Sequence, residues 1–423
     1  MRQVIRSILF LVAAVAPLLA QAADDPLIAR AQRLLQDSIL VDGHNDLPWA
    51  VRTYAKAPGD LEAYDLRVVA PGHTDIPRLR QGGVGAQFWS VYVPGELPDV
   101  ALRMQLEQID LARRIVARYA DAFQMAGTTA EIRAAHRAGR IASMLGIEGG
   151  HAIDNSLGAL RAYYDLGVRY MTLTHNTHTD WADSAAQVPP RHHGLTPFGE
   201  EVVREMNRLG MLVDLSHTSV ETMSDALRVS QAPVIFSHSA ATAICNVPRN
   251  VPDEILRELK DNGGVLMVTF VAGFVDAEVA KVTQPAIMEF NLRSREMKSE
   301  EERAQLHQEI IEGLKLPRTT AAKVADHIEH VRDVAGIEHV GIGGDFDGNT
   351  FWPEDLSDVS MYPNLFAELM RRGWSDRDLR LLAGENLLRA LEQAEKVATR
   401  LKASTPASMA QIDHSPFDRA PRN

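Results

Sequence analysis

One cysteine, Cys245, occurs in 423 residues. No intrachain disulfide is possible, and a thiolate metal cluster is excluded along with it. Positive charge is also in short supply: 44 Lys and Arg stand against 56 Asp and Glu, a net charge of −12. That is the wrong sign for a surface that must displace counterions from phosphates, so no nucleic-acid partner is expected. A long apolar span is missing too. The longest run, Ile8 to Ala20, contains Pro17 and is shorter than the roughly 20 residues a membrane-spanning helix requires. No Pro/Gly/Ser-rich linker or internal repeat divides the chain, and low-complexity bias is absent, which excludes fibrous, disordered and coiled-coil classes.

The short apolar run has a different use. Arg2 and Arg6 precede it and Ala20-Gln21-Ala22 follows it, the pattern of a cleaved export signal over residues 1–22. No cysteine follows the signal to take a lipid. The end of the chain, Lys402 to Asn423, is polar and Pro-rich and offers no glycolipid-anchor tail. The expectation is an exported protein, periplasmic or secreted, with no membrane anchor after cleavage. A single domain over 23–400 would be followed by a disordered tail over 401–423.

Apolar residues make up 45% of the chain, enough for a large core. Eight short runs rich in Val, Ile, Leu and aromatics alternate with stretches of helical period: 38–42, 84–93, 141–147, 168–173, 211–215, 233–236, 264–270 and 339–342. Eight βα units predict an α/β fold, a (β/α)8 TIM-like barrel. The widest gap, 271–338, carries Glu-, Lys- and Arg-rich helical stretches and is expected to lie as a solvated excursion outside the barrel.

Metal-ligand residue types recur at the ends of these runs. His44 and Asp46 follow the first, Glu148 the third, His175 the fourth, His217 the fifth, His238 the sixth and Asp345 the eighth. All strand ends of one sense lie on one face of a barrel, so these residues converge on one pocket. His44 and Asp46 are two apart and point the same way on an extended strand. His217 and His238 end adjacent strands, and Glu148 has two oxygens with which to bridge. Three imidazoles and two carboxylates suit zinc, with manganese or cobalt as substitutes. His151, His178, His192 and His193 fall off this register in polar or Gly/Pro-rich loops, and Asp180 and Asp347 are supporting residues at most. Arg249, taken alone, is a helix-start arginine.

The stretches VDGHNDLPW, GGVGAQFWSVYVP, GIEGGH, MTLTHN, GLTPFGEEVVREMNRLGMLVDLSH, APVIFSHS, RNVPDE and HVGIGGDFDG resemble those of the membrane (renal) dipeptidase family of zinc metallopeptidases. The resemblance runs from about Asp42 to Leu391. It implies a metallo-dependent hydrolase barrel with two zinc ions per chain: His44 and Asp46 on one, His217 and His238 on the other, Glu148 bridging. It also implies that His175 and Arg249 contact substrate and that Asp345 handles protons while a metal-bridging hydroxide attacks a dipeptide. The chain lacks the cysteines of the mammalian members, apart from Cys245, and their glycolipid tail. A homodimer would therefore be non-covalent. Other barrel metallohydrolases such as amidases, lactonases and deaminases commonly carry HxH on the first strand, where this chain has HxD. A non-catalytic periplasmic binding protein would be expected to have lost one of the six metal-site positions, and none is missing.

Overall fold

The computed structural model describes residues 25–412 apart from 295, 296 and 298. The expected signal, 1–22, and the end of the expected tail, 413–423, lie outside the described residues. Nine strands form one parallel sheet: β1 (Leu40–Asn45), β2 (Val84–Ser90), β3 (Phe123–Met125), β4 (Ile141–Glu148), β5 (Val168–Thr172), β6 (Leu212–Asp214), β7 (Ile235–Ser239), β8 (Val265–Val268) and β9 (Val340–Ile342). Their order is β2-β1-β9-β8-β7-β6-β5-β4, and pairing of Ala86–Ser90 in β2 with Ala142–Gly146 in β4 closes an eight-strand barrel. Short β3 pairs with the first residues of β4. These strands form because both faces are covered. β1, β2 and β4 are buried at every residue, the near-continuous apolar pattern of a parallel sheet roofed by helices.

Alternation along the strands sorts the core into two layers. Val41, Ala86, Phe88, Ala142, Met144, Tyr170, Val265 and Met267 join one cluster, the inward side chains that fill the barrel. Leu40, Leu145, Ile147, Leu266 and Val268 belong to the larger cluster shared with the surrounding helices. The helices start on side-chain caps: Thr196 accepts from the Gly199 N–H before helix Pro197–Leu209, and Ser219 from the Thr222 N–H before helix Val220–Val229.

All eight runs expected as strands are barrel strands, with ends displaced by at most three residues. Three-residue β3 was not anticipated, since so short an element has no readable periodicity. The last helix, Asn386–Ser404, continues past 400, and beyond it Ser408 hydrogen-bonds Glu205 while Ala410 and Ile412 pack on the core. The excursion between β8 and β9 contains helices Ala277–Arg293, Glu300–Ile311 and Ala321–Ala335. It is not wholly outside the barrel: Arg303 forms a 2.9 Å ion pair with Glu96 in the loop after β2.

Candidate metal centre

At the C-terminal ends of the strands, seven side chains expected from the sequence meet. His44, next to last in β1, and Glu148, last in β4, are held by the ladders themselves, and His238 lies within β7. His217 and Asp345 sit in the turns after β6 and β9 with φ of 66° and 64°. Left-handed backbone at a non-glycine residue costs on the order of 1 kcal/mol or more and persists where surrounding contacts impose it. For Asp345 one of those contacts is its N–H on the His44 carbonyl, 3.1 Å.

Glu148 Oε1 is the hub. It lies 3.0 Å from His217 Nε2, 3.3 Å from His238 Nε2, 3.6 Å from His44 Nε2 and 3.8 Å from His175 Nε2. The other oxygen, Oε2, is 3.5 Å from the Ser90 hydroxyl. His44 Nε2 is also 3.1 Å from Asp46 Oδ2 and 3.9 Å from Asp345 Oδ1. Three overlapping groups can each hold a cation: His44, Glu148 and His238; Glu148, His175 and His217; His44, Asp46 and Asp345. Geometry thus adds His175 and Asp345 to the pool of possible ligands, two residues that the sequence resemblance assigns to other work.

The ring nitrogens turned away from the centre are engaged. His44 Nδ1 meets the Tyr170 hydroxyl at 2.8 Å and His217 Nδ1 meets Asn176 Oδ1 at 3.2 Å. His238 Nδ1 meets the Ser237 hydroxyl at 2.8 Å, and that hydroxyl donates to Asp214 at 2.6 Å. With each Nδ1–H donated outward, every Nε2 presents a lone pair to the centre. His44 Nε2 is fully buried with no hydrogen-bond partner, and the Nε2 atoms of His217 and His238 stand only 2.9 Å apart. Two tetrahedral zinc ligands at about 2.05 Å from the ion would be about 3.3 Å apart. The donor set therefore fits a bound cation, which would relieve both the orphaned nitrogen and the facing lone pairs.

Electrostatics agree. Burial, then the neighbouring positive groups, holds His217 and His238 well below the usual imidazole range, so both are neutral donors. Burial also opposes a charge on His44, but Tyr170, Asp46 and Glu148 outweigh it and push its proton affinity well up. The field of these carboxylates draws positive charge to this point. Asp345 is pushed well above the usual carboxylate range by burial; Asp46 and Glu148 add to this, against His44 and Arg249.

Arg249 lies against this centre, 7% exposed, with Nη2 on the His238 carbonyl at 3.3 Å. Nε and Nη1 have no partner, and burial lowers the guanidinium only to about 10, so it stays charged at neutral pH.

A profile of the membrane dipeptidase family, peptidase family M19, matches residues 28–405. The chain belongs to this family. The M19 chain is 40% identical over 412 residues to dipeptidase verJ of Clonostachys rogersoniana, covering 94% of this chain and 95% of that one. It is 41% identical over 394 residues to dipeptidase 3 of Mus musculus, covering 92% and 71%. Among solved structures it resembles a Rhodobacter sphaeroides metallopeptidase bound to a phosphinate mimic of L-Ala-D-Ala, with a TM-score of 0.67, 26% identity, and 84% and 99% of the two chains covered. A structure of the dipeptidase AC, an M19 metallopeptidase, gives a TM-score of 0.69 at 27% identity over 84% and 98%. Membership implies a metal cofactor, and the clustered donors of this M19 barrel are where it would bind.

The residues set aside in the sequence serve the loops. His178 accepts from the Ser184 N–H and meets the Pro189 carbonyl, His192 meets the Thr179 carbonyl, and Asp347 accepts from the His73 N–H. His151 is closer to the chemistry than its register implied, with Nε2 on the Val93 carbonyl and its ring beside Gly149. Sequence reasoning missed Asp42, Asp214, Tyr170, Asn176 and Ser237. Asp42 accepts from the His44 and Gly344 N–H groups, Gln87 and Tyr362, and Asp214 from Thr172, Ser216 and Ser237. A signal was present: each aspartate sits two or three residues before a histidine of the centre, in VDGH and VDLSH.

Proposed function

We propose that the chain is a zinc-dependent dipeptidase with two ions per chain. The observation that carries this is Arg249: a buried, charged guanidinium with two unpartnered nitrogens, beside a cation-binding donor set. That is a receptor for a substrate carboxylate close to a hydrolytic centre. His44 and Asp46 would hold one ion and His217 and His238 the other, with Glu148 shared. When bound, the ions activate water and polarise the scissile carbonyl.

The protein's own groups do the rest. Asp345, whose proton affinity burial raises, takes a proton from the attacking water and returns it to the leaving amine. His175, kept neutral by burial, donates an N–H to the carbonyl oxygen as negative charge develops there. Arg249 fixes the C-terminal carboxylate with charge-assisted hydrogen bonds, which sets the scissile bond one residue from the chain end. Among the described residues no helix is long and apolar enough to cross a membrane. We extend the proposal to an exported protein that forms a non-covalent homodimer.

The experiment compares kcat/KM for one dipeptide and its C-terminal amide. An amide leaves Arg249 unpaired, a penalty of about 2–5 kcal/mol, or roughly 30- to 4,000-fold. In Arg249→Met this preference collapses because the dipeptide alone slows. An unchanged ratio would assign the carboxylate to another residue.

A further inference from the structure

The excursion that leaves the barrel after β8 reaches the loop after β2, and between those strands in the barrel lie β9 and β1. It therefore links the two strands that flank β9 and β1, after which come Asp345, His44 and Asp46. Its anchor is Arg303, 11% exposed, which forms an ion pair with Glu96 at 2.9 Å and donates to the Ser294 carbonyl at 3.2 Å while its guanidinium lies 5.5 Å from the Phe290 ring. Glu96 is 14% exposed, and its Oε2 is buried with no hydrogen-bond partner. The residues just before Glu96 connect the pair to the centre. Tyr92, four residues before Glu96, has its ring 4.9 Å from that of His175 on one side and 4.9 Å from that of Trp49 on the other. Gly95 presses on the loop after β5 so closely that a Cβ there would stand 2.5 Å from the Thr177 hydroxyl. The Glu96 charge is felt at Tyr92, His151 and His175.

Barrel order then fixes which end of a substrate meets this wall. Arg249 follows β7, and β7 lies four strands from β2 in either direction around the ring, diametrically opposite. A dipeptide with its carboxylate on Arg249 and its carbonyl at the centre directs its first residue toward Tyr92 and Glu96. We propose that Glu96 and Arg303 form the end wall of the pocket for the side chain of the substrate's first residue, Arg303 cancelling the Glu96 charge so that basic side chains gain nothing there. This rests on the dipeptidase reading above.

Arg303→Met removes the charge and keeps an apolar stem over Phe290. Four substrates suffice: Lys-Ala and Met-Ala vary the first residue at similar size, and Ala-Lys and Ala-Met vary the second. Freed Glu96 should raise the kcat/KM ratio of Lys-Ala to Met-Ala by about tenfold or more, mainly through KM, and leave the ratio of Ala-Lys to Ala-Met unchanged. Arg303→Lys should keep the wild-type ratio, and adding Glu96→Gln to Arg303→Met should cancel the rise. A Lys-Ala to Met-Ala ratio within twofold of wild type in Arg303→Met, or an equal shift in both substrate pairs, overturns the assignment. If wild type cleaves none of the four, the dipeptidase reading itself fails first.

Discussion

At the scale of single residues, the proposed mechanism separates groups that offer a lone pair from one, Asp345, that exchanges a proton. Asp345 shares a candidate ligand group with His44 and Asp46, yet it is held in a strained turn and its proton affinity is driven up by burial first and by Asp46 and Glu148 second. If its work is proton transfer, Asp345→Asn keeps the shape and loses the base. We expect kcat to fall by about 10²–10⁴ with metal content unchanged. Elemental analysis alongside the kinetics decides: loss of metal would make Asp345 a ligand. The convergence of the candidate ligands was legible in the sequence because metal-binding chemistry favours His, Asp and Glu, and a barrel brings its strand ends together. Their supports were not, because Tyr170 reaches His44 only through a gap that Gly146 leaves. A Cβ at Gly146 would overlap the Tyr170 ring, and no spacing in the chain records that.

At the scale of elements, helix Ala321–Ala335 is tied to the catalytic-face loops by one buried histidine. His327 Nδ1 accepts from the Ala241 N–H at 3.0 Å and Nε2–H donates to the Val275 carbonyl at 3.1 Å. Both bonds require the neutral ring, and burial lowers its pKa to about 4. The unfolded chain takes up this proton near 6.5 and the folded chain only near 4, so this stabilisation is complete above 6.5 and is lost as pH falls toward 4. The full effect is on the order of 3 kcal/mol. Glutamine can replace both hydrogen bonds without titrating. Denaturant unfolding from pH 7 to 4 should therefore show a shallower decline for His327→Gln than for wild type; parallel curves would remove His327 from the balance. Strands were readable as elements because burial on both faces leaves continuous apolar runs. The course of the excursion was not, because Glu- and Arg-rich helices look equally solvated whether they point away or, as Arg303 does, pair with the loop after β2.

At the scale of the whole molecule, the closed barrel makes residues distant in sequence into neighbours: Glu148 from β4 touches rings from the β6 turn and β7, while β1 supplies His44 and the residue just after the strand is Asp46. Ring closure, visible in the pairing of β2 with β4, turns a list of strand-end residues into one centre with Arg249 at its edge. We propose that this centre holds two zinc ions that act together. Titration of zinc into the chelated protein, followed by dipeptide hydrolysis and by bound metal, tests it most directly. Activity should be abolished by chelation and reach its plateau only as bound zinc approaches two per chain; full activity at one zinc per chain, or activity that survives complete removal of metal, would contradict it.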